Sequence, residues 1–136
     1  MRKSSYIKAI AITGSSGKTS IKELIAQSLS KIASTSYSIK SFNNKYGVPL
    51  SLFNIQKKNL FGVFEIGMDR RGEIDKLSKL IMPDLGVITN ISYAHIKNFN
   101  HLSEIASAKS EIIGNIVKGG TTVSYTHLTL PTNREV

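Results

Sequence analysis

Apolar positions along the chain switch between two spacings. Ile7–Thr13 is a short apolar run rich in β-branched residues, which predicts a strand. Ile21, Leu24, Ile25, Leu29 and Ile32 then recur at helical spacing. Tyr37–Ser41 reads as a weak strand, and Gly47–Ile55 as a short helix with Pro49 in its first turn. Phe61–Ile66 predicts a second strong strand. A helix from Gly72 to Ile81 follows and stops before Pro83. Leu85–Ile91 predicts a third strong strand, and Leu102, Ile105, Ala106, Ile112, Ile113 and Ile116 mark a long final helix.

Strands separated by helical stretches predict βαβ units, hence an α/β fold with a mostly parallel sheet and helices on both faces. Ligands of such sheets sit at the carboxyl ends of the strands. Three polar stretches fall at those ends: Gly14–Thr19, Glu65–Arg70 and Asn90–His95.

Composition changes this picture little. With 136 residues, 40% of them apolar, the chain suits one domain with a genuine core. It has no cysteine, which excludes disulfides and thiol chemistry and suits a cytoplasmic setting. No apolar run approaches the roughly 18 residues of a membrane span. The opening "MRKSSYIKAIAITG" is basic and then apolar, like a leader. Its apolar run, Ala9–Ile12, is too short for one and leads into a glycine loop. The net charge of +9 raises nucleic acid as a partner, but the lysines are scattered, without an Arg-rich block or stacking aromatics. A site for a polyanionic small molecule accounts for the charge equally well.

Four features could carry chemistry. The loop in "AITGSSGKTSIKEL" holds Gly14-Ser15-Ser16-Gly17-Lys18-Thr19, a shortened form of the phosphate-binding G-x-x-x-x-G-K-[ST], with Ile12 where the first glycine belongs. Its glycines let backbone N–H groups turn to phosphate, Lys18 would meet the terminal phosphates, and Thr19 would ligate Mg²⁺. A glycine turn capping a helix is the plainer alternative, because capping selects the same residues. Glu65 ends a strand that is apolar on both faces, so it either holds a metal or is an ordinary strand-end carboxylate. Lys109 falls inside the apolar stripe of the last helix; pattern alone favours snorkelling to solvent over a place in a pocket. His95 follows a strand end, where a lone histidine is more often structural than a ligand; His101 and His127 carry no signal.

Together, "AITGSSGKTSIKEL", "FNNKYGVPLSL", "FEIGMDRRGEIDKL", "PDLGVITNISYAHI" and "IASAKSEII" resemble the Mur ligase family in order and spacing, over about positions 8 to 123. The shortened loop is itself a family trait. The resemblance implies a P-loop-type sheet and an ATP-dependent amide ligase of peptidoglycan precursor synthesis. Its substrate carboxylate is activated as an acyl phosphate. "NNKYGVPL" and "AHI…AKSEI" favour the branch that adds D-alanyl-D-alanine to UDP-N-acetylmuramoyl-tripeptide over its siblings and over folylpolyglutamate synthetase. By position, the resemblance assigns Gly14 to Ser20, with Asn43, Asn44 and Asn90, to the nucleotide. It assigns Thr19 and Glu65 to a first Mg²⁺, His95 to a second, and makes Lys109 a lysine that several members carbamylate, giving an anion that can ligate or support Mg²⁺. Lys18, His95 and Lys109 become the catalytic set, and a monomer is the expected state.

The pattern also sets expectations about extent. Residues 1–123 match part of the family's central, ATP-binding domain, without the N-terminal domain that grips the UDP-sugar or the C-terminal domain that closes over the nucleotide. Residues 124–136, "SYTHLTLPTNREV", match nothing in the family and read as a foreign tail. An inactive fragment is therefore expected, and a nucleotide-binding remnant without catalysis is the alternative from another class.

Overall fold

A strand of alternating alanine and isoleucine, β1 (Lys8–Thr13), lies at the centre of a five-stranded sheet. The structure is a computed structural model and describes residues 7–39, 42–93 and 96–124. β2 (Thr35–Tyr37), β3 (Phe61–Glu65), β4 (Leu85–Ile88) and β5 (Thr121–Ser124) complete the sheet in the order β2-β3-β1-β4-β5. Every pairing is parallel. Successive residues of a strand face opposite sides, so one strand serves two cores. Ala9 and Ala11 join Phe64 and Ile88 on one side, together with Ile74, Leu77 and Ile105. Those last three come from α3 (Glu73–Ile81) and α4 (Leu102–Lys109). Val48 of α2 (Gly47–Phe53) packs into the same cluster. Ile10, Ile12 and Val63 form the other core with Ala26 of α1 (Lys18–Ser30). The α/β architecture, with a parallel sheet covered on both faces, is the one expected from the sequence.

Local boundaries depart from the periodicity for identifiable reasons. β2 is three residues long and lies earlier than Tyr37–Ser41, because pairing of Thr35 with Phe61 and Tyr37 with Val63 sets its register. Residues 40 and 41 lie outside the described residues. On α1, Leu24 is 61% and Ile32 is 77% exposed, whereas Lys22 and Ala26 are buried. Starting the helix at Lys18 turns positions 22 and 26, one turn apart, inward and rotates Leu24 away. β4 stops at Ile88 instead of Ile91, as the chain bends to bond the loop after β1. β5 was not expected at all: its "TTVS" is short and largely exposed, and its backbone pairing with β4 makes it a strand.

The last helix is the largest departure. It is α-helical only to Lys109 and continues as a 3₁₀ turn over Ser110–Asn115, so Ile113 is exposed. The Ser110 hydroxyl donates to the Ala106 carbonyl at 2.7 Å, a contact that loosens helices at this point. Past the break, Glu111 reaches the start of α3. Its carboxylate accepts the Gly72 N–H at 3.0 and 3.2 Å and the Asp75 N–H at 3.1 Å. Those donors have no partner within α3, so Glu111 is a cap supplied from a distant segment. Replacing it with alanine, Glu111→Ala, should cost about 1–2 kcal/mol of stability. Urea unfolding would show the loss, and Glu111→Gln, which keeps an acceptor, should recover most of it.

Candidate functional site

The loop between β1 and α1 is shaped by two glycines. A Cβ at Gly14 would lie 1.8 Å from the Thr89 hydroxyl oxygen, so no side chain fits. Gly17 sits at φ 80°, in the left-handed region that glycine tolerates, and is the residue before α1. The Ile21 N–H donates to the Gly17 carbonyl at 3.0 Å, the first bond of the helix. The N–H groups of Lys18, Thr19 and Ser20 therefore have no acceptor within the helix, and they stand at its positive end. This is the arrangement that binds phosphate. The Lys18 ammonium folds back onto the Gly14 carbonyl at 2.9 Å. Burial lowers its pKa, and the charge of Glu65 works in the opposite direction.

Glu65 closes β3 opposite Ile12 and is fully buried. The Thr19 hydroxyl reaches its two oxygens at 2.8 and 3.1 Å, and the Asn43 amide donates to one of them at 3.4 Å. A hydroxyl and a carboxylate so placed are hard oxygen donors that suit Mg²⁺, which keeps water and phosphate oxygens as its other ligands. Among the described residues there is no cluster of three or more His, Asp or Glu side chains, so a cage built wholly of such groups is absent there. Asn44 does something else. Its side-chain oxygen accepts the Tyr46 and Gly47 N–H groups at 3.0 and 2.8 Å, which caps α2. Beside Lys18 opens a cleft of about 660 Å³, lined in part by Asn43, Asn44, Gly67, Asp69 and Lys76. Another cleft of about 600 Å³ lies along β2 and contains none of the expected site residues.

Lys109 does not snorkel. It is 5% exposed at the end of α4, and burial together with the nearby Lys18 charge lowers its pKa to about 8. The feature that decides its environment is the helix break immediately after it, which periodicity does not show. Asn90 meets the phosphate loop directly: its side-chain oxygen accepts the Ser15 and Ser16 N–H groups at 3.1 and 3.0 Å. Thr89 and Ser92, not singled out by their residue types, also bond to this loop. His95 and His127 lie outside the described residues. His101 precedes α4, and its N–H donates to Glu104 at 3.1 Å, a helix-end role.

The Mur ligase middle domain matches residues 12–128 of the sequence. The chain belongs to the Mur ligase family. It is 45% identical over 107 residues to the UDP-N-acetylmuramoyl-tripeptide--D-alanyl-D-alanine ligase of Borreliella burgdorferi, covering 79% of this chain and 23% of that protein. A MurF structure from Acinetobacter baumannii superposes with a TM-score of 0.89 at 36% identity, over 96% of this chain and 29% of that one. The MurF ligase of Thermotoga maritima in complex with ADP gives 0.84 at 32%, over 95% and 30%. This chain thus spans less than a third of the length of each of these three relatives. No helix among the described residues is long and apolar enough to cross a membrane.

Lys109 makes stability depend on pH. Its pKa is about 8 in the fold against 10.5 for an unperturbed lysine, so between these values the unfolded chain binds more protons. Stability from this group therefore rises as pH climbs through that window. In buffer free of carbon dioxide, Lys109→Met should be more stable than the parent at about pH 7 and lose that advantage towards about pH 10. Urea midpoints at the two pH values test this; an equal difference at both would contradict it.

Proposed function

We propose that this chain carries the ATP-handling part of a peptidoglycan-precursor ligase that joins D-alanyl-D-alanine to UDP-N-acetylmuramoyl-tripeptide. One observation carries the reading: the Thr19 hydroxyl against buried Glu65, with Lys18 the residue before Thr19, in a Mur ligase fold. The Borreliella relative bears the name of that activity, and the Thermotoga relative holds ADP.

On this reading, a substrate carboxylate attacks the γ-phosphorus of ATP and ADP leaves, giving an acyl phosphate. The amine of the dipeptide then adds to the acyl carbon, and phosphate departs from the tetrahedral intermediate as the amide forms. Carboxylate and triphosphate are both anions, so their approach needs fixed positive charge. Lys18 supplies it by leaving the Gly14 carbonyl for the terminal phosphates, while the N–H groups at the start of α1 hold the phosphate oxygens. Thr19 and Glu65 are the residues that would hold Mg²⁺, which adds Lewis-acid charge when bound. Asn43 orients Glu65, and His95 is assigned to a second Mg²⁺.

Lys109 contributes as a carbamate. With its pKa near 8, part of the amine is neutral under physiological conditions, and a neutral amine adds carbon dioxide with loss of one proton. The product is an anion beside Lys18, which replaces the repulsion of two ammonium groups by attraction. Recognition of the sugar nucleotide and the dipeptide is assigned to the remainder of the relatives' length. The setting is the cytoplasm, with the enzyme as a monomer.

The small share of its relatives that the chain covers favours a second reading, a nucleotide-binding segment without catalysis. A chimera separates the two. Residues 12–123 should replace the matching segment of the Borreliella ligase with ATP-dependent ligation retained. In that chimera Lys18→Ala should lower kcat/KM by roughly a hundredfold or more. A chimera that binds Mg·ATP but joins nothing supports the binding segment, and full activity of the Lys18→Ala chimera removes the phosphate assignment.

A further inference from the structure

The phosphate loop of this chain is held from the side by the segment that follows β4. Asn90 is the centre of the contact. Its side-chain oxygen accepts the Ser15 N–H at 3.1 Å and the Ser16 N–H at 3.0 Å, and its main-chain oxygen also accepts the Ser15 N–H at 3.1 Å. Its amide nitrogen donates to the Ser16 hydroxyl at 2.9 Å, and the two backbone N–H donors fix which end of the amide is oxygen. On either side, the Thr89 hydroxyl donates to the Ser16 carbonyl at 2.7 Å, and the Ser92 N–H donates to the Ser15 hydroxyl at 2.8 Å. Gly14 lets the two segments meet this closely.

Two consecutive backbone N–H groups converging on one oxygen form a small anion-binding nest. Here a neutral amide oxygen occupies it. The position of the usual first glycine is Ile12, fully buried in the core between β1 and α1, and the leading half of the loop is bonded to the segment after β4. The donors still directed outward belong to the start of α1.

We propose that Asn90 is a positioning residue that keeps the Ser15 and Ser16 N–H groups from the nucleotide. It thereby confines the phosphates to the Gly17–Ser20 end of the loop. The inference rests on the ATP reading above, but its first arm does not. Asn90 stays in place when nucleotide binds, so the loop enters the complex already ordered. A carboxylate there would keep the acceptor and set a negative charge beside the phosphates, whereas alanine would release the Ser16 N–H and leave Ser15 only the main-chain oxygen of residue 90.

The test uses the 136-residue chain, by amide hydrogen exchange and nucleotide titration followed by NMR. Without nucleotide, the Ser15 and Ser16 amides should be protected in the parent and in Asn90→Asp; in Asn90→Ala the Ser16 amide should exchange freely, while Ser15 keeps its bond to the main-chain oxygen of residue 90. The Ile21 amide, bonded to Gly17, should be protected in all three and reports an intact helix start. With Mg·ATP, resonances of Gly17 to Ser20 should shift in the parent while those of the Ser15 and Ser16 amides and the Asn90 side-chain amide stay in place. Asn90→Asp should bind Mg·ATP about tenfold or more weakly. Shifts of the Ser15 and Ser16 amides and the Asn90 side-chain amide as large as those of Gly17 to Ser20 would overturn the proposal, because the two N–H groups would then have exchanged Asn90 for phosphate. Equal affinity of Asn90→Asp and the parent would also overturn it. Absence of any ATP-induced shift in the parent would defeat the nucleotide reading alone, and the exchange pattern would still decide whether Asn90 holds the loop. Asn90→Asp carries the test if Asn90→Ala does not fold.

Discussion

Parallel pairing of β1 with both β3 and β4 is the constraint on which the site depends. Ile12 lies opposite Glu65 and Thr13 opposite Ile88, so three strands end at nearly one level. The phosphate loop, the Glu65 carboxylate and the Thr89–Ser92 segment therefore emerge together at one edge of the sheet. Because side chains alternate, a slip of one residue would exchange Ala11 and Ile12 between the two cores. The same slip would carry Glu65 away from Thr19. Core packing and site geometry are thus one requirement, met by the small alanines on one face of β1 and the isoleucines on the other.

Charge in this edge is arranged against the ordinary preference for solvation. Glu65 and Lys109 are buried, and Lys18 is half-buried between them in chemistry if not in sequence. Burying an ion is costly unless opposite charge compensates it. Burial is the main cause of the lowered pKa of both Lys18 and Lys109; the Glu65 charge opposes it at Lys18, and the Lys18 charge adds to it at Lys109. Such an excess of positive charge in a partly dry site is poorly suited to stability and well suited to a polyanion. The overall +9 charge has part of its explanation here, at a few residues, and does not require nucleic acid.

The break after Lys109 links this charge to the scaffold. Up to that residue α4 buries Ile105, Ala106 and Ala108; beyond it, the 3₁₀ turn sends Glu111 to the first turn of α3. Lys109 and the cap of a neighbouring helix are two residues apart and are held by the same turn. The loop leading into α3 follows Glu65 along the chain, so the two sides of the cleft are tied through the backbone.

The α/β class, the strong strands and the phosphate loop were legible because they are written in local spacing: runs of β-branched residues, helical recurrence and glycines before Lys18-Thr19. Glu65 stood out at a strand end and Lys109 inside an apolar stripe, and family order among the motifs added a role for Asn90. Their relations were not local. Leu24 and Ile32 fit a helical stripe but lie outside, because the first turn of α1 is set by the loop before it. β5 has little apolar pattern, and only backbone pairing with β4 makes it a strand. By itself the sequence determined the strong strands, the helices between them and the residue types at their ends, since these follow from short-range sterics and hydrophobic periodicity. Only the tertiary structure decided that Lys109 is buried, that Glu111 caps α3 and that Asn90 occupies the phosphate loop. Those contacts join residues tens of positions apart, and the register of a parallel sheet is what brings them within reach.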